Sequence, residues 1–144
     1  MRITALRCLV ALTVFAVGAG LRAAEQTPFD SLAKLASALS ENDSDDALEY
    51  FDSHMQSYPQ IEQKLEALTA QSDIHCAIDV VTDVEANGVH KLDLDWFMQL
   101  KSQIDDSQFE RRRERVQVEM KKFKNVWKIT SLSPIAIFDP LQIH

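Results

Sequence analysis

The strongest constraint on the fold is a period-two alternation on both sides of Ala86-Asn87-Gly88. Before it, Ile74, Cys76, Ile78, Val80, Thr82 and Val84 alternate with His75, Ala77, Asp79, Val81, Asp83 and Glu85. After it, Leu92, Leu94, Trp96, Met98 and Leu100 alternate with Lys91, Asp93, Asp95, Phe97 and Gln99. Alternation of this kind marks half-buried strands, and the Asn-Gly pair marks a hairpin between them. Even positions form the apolar face of both strands. Residues facing each other in a ladder share a side of the sheet, so opposed positions must sum to an even number. A two-residue Asn87-Gly88 loop gives 175 and sets Val80 against Asp95. A three-residue Ala86-Asn87-Gly88 loop gives 174 and pairs Val80 with Leu94, Ile78 with Trp96 and Cys76 with Met98. The three-residue loop is therefore expected, with Gly88 in the left-handed position such a loop needs. Every strand acid then falls on the outer face.

The remaining segments must pack on that hairpin. Residues 101–108 are polar apart from Ile104 and connect to a long strand over 109–123, with Val116, Val118 and Met120 inward. A two-residue Lys124-Asn125 turn then pairs Met120 with Ile129 and Lys122 with Trp127, and the last strand covers 126–132. Upstream, Thr27-Pro28 with Asp30 starts a helix whose apolar stripe of Phe29, Leu32, Leu35, Ala36 and Leu39 ends near Ser40. A second helix starts near Asp45, capped by Asp43 or Ser44, with Leu48, Phe51 and Met55 inward. Tyr58-Pro59 opens a third, lined by Ile61, Leu65 and Leu68 to about Ala70. The pattern predicts an α+β domain: three N-terminal helices packed on a curved, four-stranded antiparallel sheet.

Residues 1–24 read as a secretory signal peptide and 25–144 as the domain. Arg2 and Arg7 form a basic start, and residues 8–19 are apolar apart from Thr13, too short a run to span a bilayer. Small residues follow, which places cleavage within 19–24. The protein is thus expected in the periplasm or outside the cell, with no stable membrane anchor after cleavage. Cutting there removes three arginines and no acid. Lys plus Arg falls from 15 to 12 against 22 acids, so the net charge goes from −7 to about −10. Such a charge disfavours nucleic acid and anionic membranes as partners. Cys76 becomes the domain's single cysteine and has no partner for an internal disulfide.

Three stretches carry a family resemblance: Leu92-Asp93-Leu94-Asp95-Trp96-Phe97-Met98-Gln99-Leu100, the Arg-rich run over 110–118, and Val126-Trp127-Lys128-Ile129 with Leu132-Ser133-Pro134. With the order of three helices and four strands, residues 27–139 resemble the nuclear transport factor 2-like superfamily, the ketosteroid isomerase and polyketide cyclase-like cone fold. The resemblance implies a cone-like α+β barrel with a ligand cavity between the helices and the concave sheet face. In this chain Ile78, Val80, Leu92, Leu94, Trp96, Met98, Val118, Met120 and Trp127 would line it. Members that work as isomerases carry an acid base and a hydrogen-bonding tyrosine or acid there. Here the expected lining holds no carboxylate. The resemblance also implies association through the convex face, where Asp95, Phe97, Arg111, Arg113 and Arg115 would form the interface.

Few side chains point to chemistry. Tyr50, Tyr58 and His90 are the alternative catalytic candidates. Tyr50 and His54 stand at i, i+4 on the second helix, where they could meet, and read as a surface or helix-packing pair rather than a catalytic one. Cys76 reads as a small buried hydrophobe rather than a nucleophile. His54, His75, His90 and His144 show no metal spacing, and no metal or cofactor is expected. The arginine run reads as a cross-strand ion-pair lattice on a solvated face, or as a subunit interface. Three functions remain open. The first is an exported, non-catalytic domain that binds a small apolar ligand or a protein partner. The second is an isomerase, dehydratase or cyclase acting on a hydrophobic ring. The third is a structural dimerisation module.

Overall fold

The computed structural model describes residues 26–105 and 107–142. The expected signal segment and His144 lie outside the described residues. Helix α1 (Pro28–Ser40) begins as its sequence dictates. The Thr27 N–H donates to the Asp30 carboxylate at 2.9 Å while the Asp30 N–H donates to the Thr27 hydroxyl at 3.3 Å, a reciprocal capping box. Its stripe of Leu32, Leu35, Ala38 and Leu39 is buried.

Helix α2 (Ser44–Leu48) is a single turn capped by Asp43, not the longer helix expected from Leu48, Phe51 and Met55. All three of those side chains are buried. After Leu48, however, the backbone turns to pair with the sheet: the Ile129 N–H donates to the Tyr50 carbonyl and the Asp52 N–H to the Ile129 carbonyl, each at 2.8 Å. Those two bonds replace helical ones. Tyr50 and His54 consequently share no helix face. Helix α3 (Tyr58–Gln71) buries Ile61, Leu65 and Leu68 as expected.

The sheet runs β1 (Ser72–Ala86), β2 (Val89–Ser102), β3 (Phe109–Phe123) and β4 (Val126–Ser133), antiparallel in that order. Its deep register is the expected one, with Cys76 opposite Met98, Ile78 opposite Trp96 and Val80 opposite Leu94. The loop is not. Ala86 pairs directly with Val89, leaving a two-residue Asn87-Gly88 turn in which both residues have positive φ, 54° and 78°. That is the twist-matched hairpin turn for which Asn-Gly is best suited. The parity conflict is absorbed by a bulge: the register shifts between Val80 and Thr82, leaving Val81 as the extra residue. Beyond the bulge every side chain of β1 changes face. Asp83 comes opposite Leu92 and Glu85 opposite His90, so these two acids lie on the inner face, and Thr82 and Val84 on the outer one.

The β3–β4 pairing has Met120 opposite Ile129 and Lys122 opposite Trp127, as expected, with a second register shift between Glu119 and Met120. Helix α1 crosses the inner face diagonally. At its start the Trp127 indole N–H of β4 donates to the Gln26 carbonyl at 2.7 Å. At its end the Ser40 hydroxyl accepts from the Cys76 N–H of β1 at 3.0 Å. After β4 a 3₁₀ turn (Ile135–Phe138) drops Phe138 into the core, edge-on to Trp96 at 5.4 Å and to Phe51 at 6.0 Å. The architecture is α+β, with three helices on a curved antiparallel sheet.

Candidate functional site

The concave face divides into a filled part and an open part. Leu94, Trp96, Met98 and Met120 have no exposed surface, and Leu92 and Val118 have almost none. A side chain inaccessible to a water-sized sphere lines no void large enough for water. Most of the expected cavity lining is thus a packed core in this structure, filled by Phe138 and Phe51 and by the apolar stripes of α1 and α3. Only Ile78, Val80 and Trp127 of that set remain half-buried.

These three lie towards the hairpin end, where the bulge has brought polar groups inward. His90 Nδ1 lies 2.8 Å and 3.0 Å from the two oxygens of Asp83, and its Nε2 lies 3.9 Å from Glu85. A carboxylate only accepts, so Nδ1 donates to Asp83 and Nε2 remains available. The ring stands edge-on to Trp127 at 4.8 Å, which fixes its plane. Although the Asp83 backbone lies on the free edge of the sheet, its side chain is only 21% exposed, and that of His90 14%. An imidazole oriented by a carboxylate can take up or give a proton at its far nitrogen. The sequence pointed to His90 but placed Asp83 on the opposite face. Only the bulge unites them.

The other catalytic candidates sit elsewhere. Tyr50 and Tyr58 are partly buried against the core, and among the described residues neither shares a hydrogen bond or ring contact with His90. Burial, then the nearby Asp46 and Glu49, raises the Tyr50 hydroxyl above its ordinary pKa. Burial, then Glu62 and Asp45, does the same for Tyr58. Both therefore hold their protons more firmly than a free tyrosine. His54 is almost fully exposed. Burial pushes the Cys76 thiol up to about 12, with a small opposing pull from the Trp96 indole, so the thiol stays protonated and unreactive.

The outer face carries the expected ion-pair lattice. Arg113 forks onto Asp95 at 2.7 Å and 3.2 Å, and Arg115 donates to Asp93 at 3.0 Å. Hydrogen bonding to Arg113 holds the Asp95 carboxyl below the usual range. Arg111 instead lies 5.0 Å over the Phe109 ring. Phe97 is half-buried between these rows, and Phe109 is exposed. Asp79 stands opposite Asp95, and Arg113 relieves the repulsion between them.

Arg112 has a role that the sequence reading missed. It points inward, opposite Met98, and its side chain is only 11% exposed. It grips Glu110 through Nε at 2.9 Å and Nη2 at 3.2 Å, and donates to the carbonyls of Ile137, Asp139 and Pro140. This guanidinium fastens the chain's last turn over a surface cavity of about 660 Å³. Strand alternation alone would have separated Arg112 from its three outward neighbours.

No family model matches this sequence, and no curated protein does. Solved structures do match. A conserved protein from Planctomyces limnophilus superposes with a TM-score of 0.64 at 5% identity, over 71% of this chain and 87% of that one. A ketosteroid isomerase-like protein from Erwinia carotovora atroseptica gives 0.58 at 6% identity, over 71% and 87%. Aln2 from a Streptomyces species gives 0.59 at 13% identity, over 74% and 90%. The fold is the nuclear transport factor 2-like cone. At such identities the likeness is one of backbone, and it carries no activity across.

Proposed function

We propose that this chain is an exported, non-catalytic nuclear transport factor 2-like domain that binds a protein partner. One observation carries the reading: the cone interior, where a ring-shaped substrate would sit, is occupied by Leu94, Trp96, Met98 and Met120. A small apolar ligand could enter only by displacing Phe138 or Trp96, at a cost of several kcal/mol of lost packing. The layout of the first 24 residues supports export. A second copy suits the outer sheet face, which carries acids on β1 and β2 beside a column of arginines on β3. Native mass spectrometry of protein purified from its own host tests these points together. The expected spectrum shows a chain shortened by about 19–24 residues with no bound small molecule. A retained apolar ligand ends the protein-partner reading, and an unshortened chain ends the export reading.

The His90–Asp83 pair favours a second reading, an isomerase, dehydratase or cyclase with Nε2 of His90 as the acid or base. Its test is turnover of cyclic, enolisable substrates. The enzyme reading requires activity that disappears in both His90→Gln and Asp83→Asn, and activity that survives both changes excludes this pair.

A further inference from the structure

We propose that the free edge of β1 over 78–85 accepts an extended basic peptide as a fifth strand. β1 borders only β2, so its other side is an open edge of the sheet. The chain caps the first part of that edge with side chains from the end of α1. Asn42 donates to the Ser72 carbonyl at 2.7 Å and accepts from the Ile74 N–H at 3.1 Å. Ser40 accepts from the Cys76 N–H at 3.0 Å and donates to the Cys76 carbonyl at 3.5 Å. These bonds show which backbone groups point away from β2: those of even positions, by the period of a strand. The same direction holds for Ile78 and Val80. Past the bulge it passes to Asp83 and Glu85, whose partners on β2 are again even-numbered. Among the described residues, no hydrogen bond reaches the outward N–H or C=O groups of these four positions.

A row of unpaired backbone groups is a template for strand addition. Here it adjoins apolar surface. Because α1 reaches β1 only at its far end, Ile78 and Val80 stay half-buried beside the uncapped edge, with Ala36 of α1 similarly half-buried. The charge selects the occupant. Asp79, Asp83 and Glu85 line this stretch of a chain carrying a net −7. A second copy added edge to edge would bring those acids against their own counterparts, which is destabilising across a ladder. A strand with basic residues on both faces, opposite Asp79 on the outer side and opposite Asp83 and Glu85 on the inner side, meets them with opposite charge. The Val81 bulge breaks the template into two short runs, which suits a short peptide and opposes extended self-pairing.

The inference rests on the reading of the chain as a protein-binding domain, yet the two fail separately. A ligand lodged among Trp96 and Met98 would end that reading and leave the edge untouched. The test uses the full chain and a capped, fluorescent peptide of about six residues with lysines spaced to face Asp79, Asp83 and Glu85 and valines between them. Its anisotropy is compared with that of a glutamate–valine peptide and of two N-methylated versions blocking alternate sets of backbone amides. The expected result is saturable binding of the lysine peptide and at least about tenfold weaker binding of the glutamate peptide. One N-methylated version should also lose about tenfold while the other binds normally, because only one set of amides faces the edge. Hydrogen exchange should slow at the Ile78 and Val80 amides. The exposed double variant Asp79→Lys with Glu85→Lys should weaken binding without altering the circular dichroism spectrum. No binding, equal binding of both N-methylated peptides, or slowed exchange confined to other strands overturns the proposal. A dimer that protects the same amides overturns it as well.

Discussion

Arg112 and Arg113 are neighbours in sequence with opposite surroundings, and the difference sets what each contributes. Arg112 is nearly buried and satisfies Glu110 and three tail carbonyls at once. Removing it takes the shared donor from the tail carbonyls and from a part-exposed Glu110, so Arg112→Ala should cost about 2 kcal/mol in urea unfolding. Lysine, whose donors sit on one nitrogen and cannot span these acceptors, should recover less than half of that loss. Arg113 is exposed, and its bond to Asp95 matters mainly for titration. A depressed folded pKa adds stability above the carboxyl's ordinary range, which is lost as the pH falls through the folded value. Arg113→Ala should therefore move the Asp95 titration upward in carboxyl-detected NMR, with little change in unfolding at neutral pH. Cys76 gives a third check at this scale. With the thiol held at about 12, mass-mapped alkylation at neutral pH should leave Cys76 unmodified until the protein is unfolded.

The hairpin shows what one level of pattern can and cannot decide. Alternation correctly paired Ile78 with Trp96, because a slip by one residue would expose the whole core face. The same parity argument rejected the two-residue turn, since it assumed one register from end to end. Two local preferences compete here: Asn-Gly favours the tight turn, while the deep apolar residues demand the even register. A bulge at Val81 satisfies both, and nothing in its residue type announces it. Its position decided whether Asp83 met His90, so the candidate site was less legible than the fold. Likewise, α2 stopped early because the backbone at Tyr50 and Asp52 found Ile129, a partner distant in sequence. The tight turn itself yields a clean prediction. A Cβ added at Gly88 meets no atom within 4 Å, so Gly88→Ala carries only the conformational penalty of positive φ. That is about 1 kcal/mol, measurable as a shifted urea midpoint with an unchanged slope. Asn87→Gly should move stability by less than about half of that.

For the whole molecule, the asymmetry between the two sheet faces matters most. The inner face is spent on packing: α1, α3 and the 3₁₀ turn cover it, and Phe138 closes the gap between Phe51 and Trp96. Among the described residues no helix covers the outer face, yet it holds Phe97 half-buried among paired charges and leaves Val84 and Phe109 exposed. Arg111 and Asp79 on that face have no ion-pair partner among the described residues, whereas Arg113 and Arg115 each have one. An isologous contact can use such leftover charges, because a two-fold axis brings the arginine column of one copy over the acid column of the other. The proposed dimer then needs about 800 Å² from each copy, which the outer face of four strands can supply. Sedimentation equilibrium at micromolar concentration should show twice the chain mass. Arg111→Glu should shift the population towards monomer, because it reverses a charge that has no ion-pair partner among the described residues. A monomer for the unaltered protein across that range would rule out the outer face as a self-association surface. The open β1 edge and the His90–Asp83 pair would then stand as the contact sites proposed among the described residues.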